Sequence, residues 1–153
     1  MNQRDAAPPT RAGRVVVLDD HDQVRQMLCT ALQVAGFETL EAATPIEAYR
    51  HLAGDATPRA LVISLQDAHK VGMEVLRYVR AHEQLAEMPI VYLAVQASED
   101  LRWQALKAGA DWFAQKPLSL RELQLRVREL VRKGRPRLRA LAALRRQQHQ
   151  LAG

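Results

Sequence analysis

Val15-Val16-Val17-Leu18-Asp19-Asp20 decides the fold. Four consecutive large apolar residues, three of them β-branched, suit a strand covered on both faces, and the acids that follow place charge at its C-terminal end. The pattern recurs downstream. Ala60 to Leu65, Ile90 to Val95 and Trp112 to Gln115 are further short strands, and Phe37 to Ala42 alternates enough for another.

Helices are expected between them. From Asp22 to Ala35 the apolar positions Val24, Met27, Leu28, Ala31, Leu32 and Ala35 recur at helical spacing, and Gly36 follows where a helix stops. Thr44-Pro45-Ile46-Glu47 joins a capping residue, a first-turn proline and a glutamate three residues on, opening a helix that runs to about Gly54. Val71 to about His82 carries Val75, Leu76 and Val79 on one face. Ser98 begins a helix ending at Ala108-Gly109, and Ser119-Leu120-Arg121-Glu122 repeats the capping pattern. Five strands alternating with five helices predict right-handed crossovers and one parallel sheet covered on both sides. In such folds the loops at the strand C-termini share a crevice, so Asp19, Asp20, Ser64, Ala94 and Lys116 are expected to converge.

Composition agrees with one domain and a tail. The chain has 153 residues, 48% hydrophobic and 25% charged, enough for a single substantial core. A single cysteine, Cys29, excludes an internal disulfide and fits a reducing compartment. No apolar stretch approaches the roughly 20 residues that span a bilayer, and the start lacks an export signal, so the protein is expected to be cytoplasmic. His21, His51, His69, His82 and His149 show no ligand spacing and read as surface or loop residues. The net charge of +5 is unevenly spread: residues 121–146 hold ten Lys/Arg against two acids, leaving 12 basic and 15 acidic residues elsewhere.

The ordered set VVVLDD, ALVIS with Gly72 eight residues beyond Ser64, PIVYLAV, ALKAGADWF and Lys116-Pro117 resembles the receiver domain of two-component response regulators, the CheY-like fold, over roughly residues 14–133. The resemblance implies a flavodoxin-like, doubly wound α/β sheet of order 2-1-3-4-5, and a pseudo-receiver variant of it. Residues 1–13 read as a disordered lead, and 134–153 as a basic helical extension or linker set off by Gly134 and Pro136.

Carried across by position, the resemblance puts Asp19 and Asp20 on the acidic pair that holds Mg²⁺. Lys116 falls on the lysine that contacts a phosphoryl group, with Pro117 after a cis peptide. Ser64 stands where the family has its phosphoacceptor aspartate, Ala94 where it has a hydroxyl residue, and Phe113 at the aromatic switch. The loop Leu65-Gln66-Asp67-Ala68-His69-Lys70 also departs from the family's pattern.

These replacements have chemical consequences. Phosphoryl transfer needs an anionic nucleophile, and a serine without a neighbouring base supplies none. Two carboxylates in place of three hold Mg²⁺ poorly, so no cofactor and no catalytic residue is expected. Signalling by protein contact or homodimerisation is expected instead, through the fourth helix, fifth strand and fifth helix, where Trp103 and Trp112 lie; strand alternation turns Trp112 outward. Leu138, Leu141, Leu144 and Leu151 sketch a sixth helix of the kind that leads to an output domain. Two alternatives stay open: a receiver phosphorylated on Ser64 or Asp67, and nucleic-acid binding by the basic segment, against which stands the lack of a helix-turn-helix, stacking-aromatic or zinc pattern.

Overall fold

A computed structural model of the chain describes residues 12–136, 144 and 146–151. The element order is β1 (Arg14–Leu18), α1 (Asp22–Val34), β2 (Glu38–Ala42), α2 (Pro45–Leu52), β3 (Ala60–Ile63), α3 (Val71–Ala81), β4 (Ile90–Ala94), α4 (Glu99–Ala108), β5 (Trp112–Gln115) and α5 (Leu120–Lys133). All strands are parallel, as the alternating pattern predicts, and lie in the order β2-β1-β3-β4-β5, as the resemblance implies. Of the expected sixth helix, Leu144 and residues 146–151 are helical; residues 137–143 and 145, like 1–11 of the N-terminal lead, lie outside the described residues.

Strand alternation divides the core between the two faces of the sheet. Val16, Leu18, Leu61, Ile63, Ile90, Tyr92 and Phe113 pack with residues of α2, α3 and α4. Val15, Val17, Val62, Val91 and Leu93 face the other way, onto Leu28 and Leu32 of α1 and Leu123 and Val127 of α5. Apart from Arg14 at the exposed start of β1 and the hydroxyl of Tyr92, the central strands β1, β3 and β4 are apolar, because both faces are covered.

Helix starts follow the capping chemistry. Thr44, Ser98 and Ser119 accept from the backbone N–H of Glu47, Leu101 and Glu122 respectively, and such a cap contributes about 1 kcal/mol. Glu47 returns a carboxylate to the N–H of Ala43, closing the first turn of α2. α1 is capped by His21, whose Nδ1 accepts from the N–H of Val24 at 3.3 Å. That histidine, read from sequence as an unremarkable loop residue, starts the helix beside the crevice.

Candidate functional site

The crevice forms where β1 and β3 end side by side. Leu18 pairs with Ile63, and the N–H of Ser64 donates to the carbonyl of Leu18 at 2.8 Å. This brings Asp19 and Ser64 together, and neither has any exposed surface. Lys116 arrives from the end of β5: its N–H donates to the carbonyl of Ala94 at 2.8 Å, and the peptide to Pro117 is cis.

The side chains close on one another. Ser64 Oγ donates to Asp19 Oδ2 at 2.8 Å. Lys116 Nζ donates to the backbone carbonyl of Ser64 at 2.9 Å and lies 3.6 Å from the same Asp19 oxygen. Asp19 Oδ1 accepts from the N–H of His21 at 2.8 Å. A buried carboxylate must be paired and hydrogen-bonded, and Asp19 meets that need within the protein. Among the described residues no buried side-chain polar atom lacks a partner.

Asp20 points differently. It is exposed, and its Oδ1 accepts from the N–H of Gln66 at 3.0 Å, tying the β3–α3 loop to the end of β1. Arg25 braces the same corner from α1, donating to the carbonyl of Asp19 at 2.9 Å while pairing with Asp22 and Glu41. Asp67, three residues past Ser64, lies exposed in the loop, where its carboxylate accepts from the N–H of Lys70 at 3.0 Å and shapes the entry to α3.

The donor set does not fit Mg²⁺. Among the described residues no cluster of three or more acidic, histidine or cysteine side chains is positioned to hold a metal. Both oxygens of Asp19 are engaged, and the third direction is filled by a neutral hydroxyl. A hard divalent ion that prefers several oxygen anions would compete with Ser64 and Lys116 for the Asp19 carboxylate, with only Asp20 beside it to add charge.

The neighbouring positions on β4 and β5 are apolar. Ala94, fully buried, presents only a methyl group. Phe113 is turned inward with 7% of its surface exposed, and its ring stacks on Tyr92 with centroids 5.9 Å apart. The Tyr92 hydroxyl donates to the carbonyl of Ala68 in the β3–α3 loop, and burial pushes its pKa upward. Tyr92 escaped the sequence reading because an aromatic residue inside an apolar strand reads as core. Gly72 carries the available signal: a Cβ there would lie 2.5 Å from the Tyr92 oxygen, so the first turn of α3 has no room for a side chain.

The two tryptophans part company. Trp103 stands 67% exposed on α4. Trp112 faces away from Phe113, as alternation requires, but that face is covered by α5. Its indole is half-buried, with the Arg126 guanidinium 5.7 Å from the ring centroid. The expected outward tryptophan is thus a packed one, because in a doubly wound sheet neither face of a strand is free.

Known proteins share this fold. The family model described as response regulator receiver domain matches residues 15–128. The phosphate regulon transcriptional regulatory protein PhoB of Pseudomonas aeruginosa is 31% identical over 122 residues, 80% of this chain and 53% of that protein. The regulatory protein AtoC of Escherichia coli is 31% identical over 122 residues, 26% of its own length. This chain therefore spans about half or less of these relatives. Among solved structures, the receiver domain of the Francisella response regulator 1452 superposes with a TM-score of 0.70 at 27% identity, covering 79% of this chain and 98% of that one.

Proposed function

We propose, from the premise that this chain belongs to the response regulator receiver domain family, that it is a pseudo-receiver of a two-component system that signals without phosphorylation. One observation carries the reading: the side chain at the tip of β3 is a neutral hydroxyl spent on Asp19, 2.8 Å away. Receiver chemistry requires a carboxylate that attacks phosphorus in line, with a metal to neutralise the incoming charge. Ser64 offers no anion, and the one carboxylate it touches, Asp19, is held by Lys116 and is sealed from solvent with it. Lys116 lies on Ser64 and Asp19, neutralising the carboxylate in place of a metal. Ala94 offers no hydroxyl to a phosphoryl oxygen.

On this reading the domain is not an enzyme, holds no cofactor and works in the cytoplasm through contact with a protein partner. The contact surface is α4, β5 and α5. Trp103 supports that choice, since an exposed indole removes a large apolar area from water on docking and has few rotamers to fix. A symmetric pairing of two copies through this face, controlling an output domain of the kind that makes the relatives longer, is the assembly we favour.

Incubation with a small-molecule phosphodonor and Mg²⁺, followed by intact mass measurement, tests the reading. The mass is expected to stay unchanged. A stoichiometric gain of one phosphoryl group on Ser64 or Asp67 would overturn it.

A further inference from the structure

The basic C-terminal run is not uniformly solvated. Arg135, past the end of α5, is only 6% exposed. Gly134 turns the chain there: its N–H still closes on the carbonyl of Leu130, but at φ 79° and ψ 178° it leaves the helical path. The next side chain then reaches back under the sheet.

Its partners belong to two separate turns. Arg135 Nε donates to Asp111 Oδ1 at 2.8 Å, Nη1 to the carbonyl of Ala86 at 3.0 Å and Nη2 to the carbonyl of Gly109 at 3.3 Å. Arg80 of α3 occupies the same knot, bonding Gly109, Ala86, Met88 and Asp111 Oδ2. Asp111, whose side chain is 3% exposed, also accepts from the N–H of Ile90 at 2.8 Å. One carboxylate and three carbonyls hold two guanidinium ions. Burial, and then the charge of Arg135, lower the pKa of Arg80 to about 10. So crowded a site persists only where the geometry is fixed, and a planar fork with several donors can bridge three acceptors as an ammonium cannot.

We propose that Arg135 anchors the segment following α5 to the α3–β4 and α4–β5 turns, so that the chain leaves the receiver body in a set direction and feels any displacement of the α4–β5 turn. The anchor stands apart from the chemistry at Ser64, at the opposite end of the strands. It makes the α4–β5 turn a mechanical neighbour of whatever the chain carries onward. A tethering linker would transmit orientation poorly; a buried, forked guanidinium transmits it directly.

Amide hydrogen exchange by mass spectrometry on the full chain tests this. Arg135→Ala is expected to speed exchange at least tenfold in residues 106–111 and 130–136, while β2 and α2 at the far edge of the sheet keep native rates. Asp111→Asn, nearly isosteric, is expected to give the same local signature. Arg135→Lys, which keeps the charge but not the fork, is expected to fall with Arg135→Ala. Native rates in Arg135→Ala and Asp111→Asn would overturn the anchor. So would an equal rise across the whole molecule, which would make Arg135 a general stabiliser, or full rescue by lysine, which would reduce its role to charge. In a Trp103→Phe background the remaining indole, Trp112, shares a small cavity with Asp111 and Pro136, and its emission is expected to shift when Arg135 is removed.

Discussion

Tyr92 donates its hydroxyl proton to the carbonyl of Ala68 while its ring lies against Phe113, so one buried side chain joins the β3–α3 loop to the strand beneath the exposed face of α4. The loop on one side of the crevice and the inward aromatic on the other are held by the same residue. Tyr92→Phe keeps the ring and leaves the Ala68 carbonyl without its partner. A lost buried hydrogen bond of this kind costs about 1–3 kcal/mol. Urea denaturation is expected to show that loss, with faster amide exchange concentrated in residues 66–72. Unchanged exchange there would separate the loop from Phe113.

Ser64→Ala removes the hydroxyl that solvates Asp19. Hydrogen bonds to charged groups contribute about 1.5–3 kcal/mol, and Asp19 keeps the His21 N–H and Lys116, so a loss of about 1–2 kcal/mol is expected. The urea midpoint should fall without a change in slope. A neutral or stabilised Ser64→Ala would show that the hydroxyl fills space without supporting the carboxylate.

Ser64→Asp puts a second carboxylate against Asp19 in a buried site that Lys116 alone neutralises. Without metal this variant is expected to be less stable than the native chain, since unpaired buried charge is costly. With Mg²⁺ it should recover, because three oxygen anions then face one site and binding adds stability in proportion to ligand excess over Kd. Thermal midpoints with and without millimolar Mg²⁺ measure both effects. An equal Mg²⁺ response in the native chain would show that two carboxylates suffice.

Trp103→Ala touches an exposed ring and should alter folding stability by no more than about 0.5 kcal/mol. If α4–β5–α5 pairs two copies, the same change should weaken association by at least about tenfold, since central aromatic anchors carry much of the binding energy. Analytical ultracentrifugation across a concentration series reads this out. Native chain that stays monomeric at high concentration would remove the homodimer.

Much of the fold was legible because its signals are local. Runs such as Val15 to Leu18 and the Thr44 and Ser119 caps act within a few residues, and they placed β1, α2 and α5 to within a residue or two. The convergence of Asp19, Ser64 and Lys116 followed from topology alone, since parallel strands end on one side. The misses are residues whose partners lie far off in sequence. Trp112 was assigned to solvent by strand alternation, which says nothing about α5 lying across that face. Arg135 reads as one more charge of a basic extension because charge counting cannot see that Asp111, 24 residues earlier, awaits it. Tyr92 passed as an ordinary core aromatic because its hydroxyl partner, Ala68, is a backbone atom and leaves no mark in the sequence.

Gly72 has no Cβ, and the Tyr92 oxygen occupies the room that one would need. The two positions are therefore epistatic. An alanine at 72 collides with the phenol oxygen while tyrosine stands at 92; beside a phenylalanine only the ring carbon, 3.2 Å away, has to give by a few tenths of an ångström. Mutational routes through this pair have a compulsory order: position 92 must give up its oxygen before position 72 can gain a carbon. A library randomising both positions together should recover side chains at 72 only in members that have already shed the phenol.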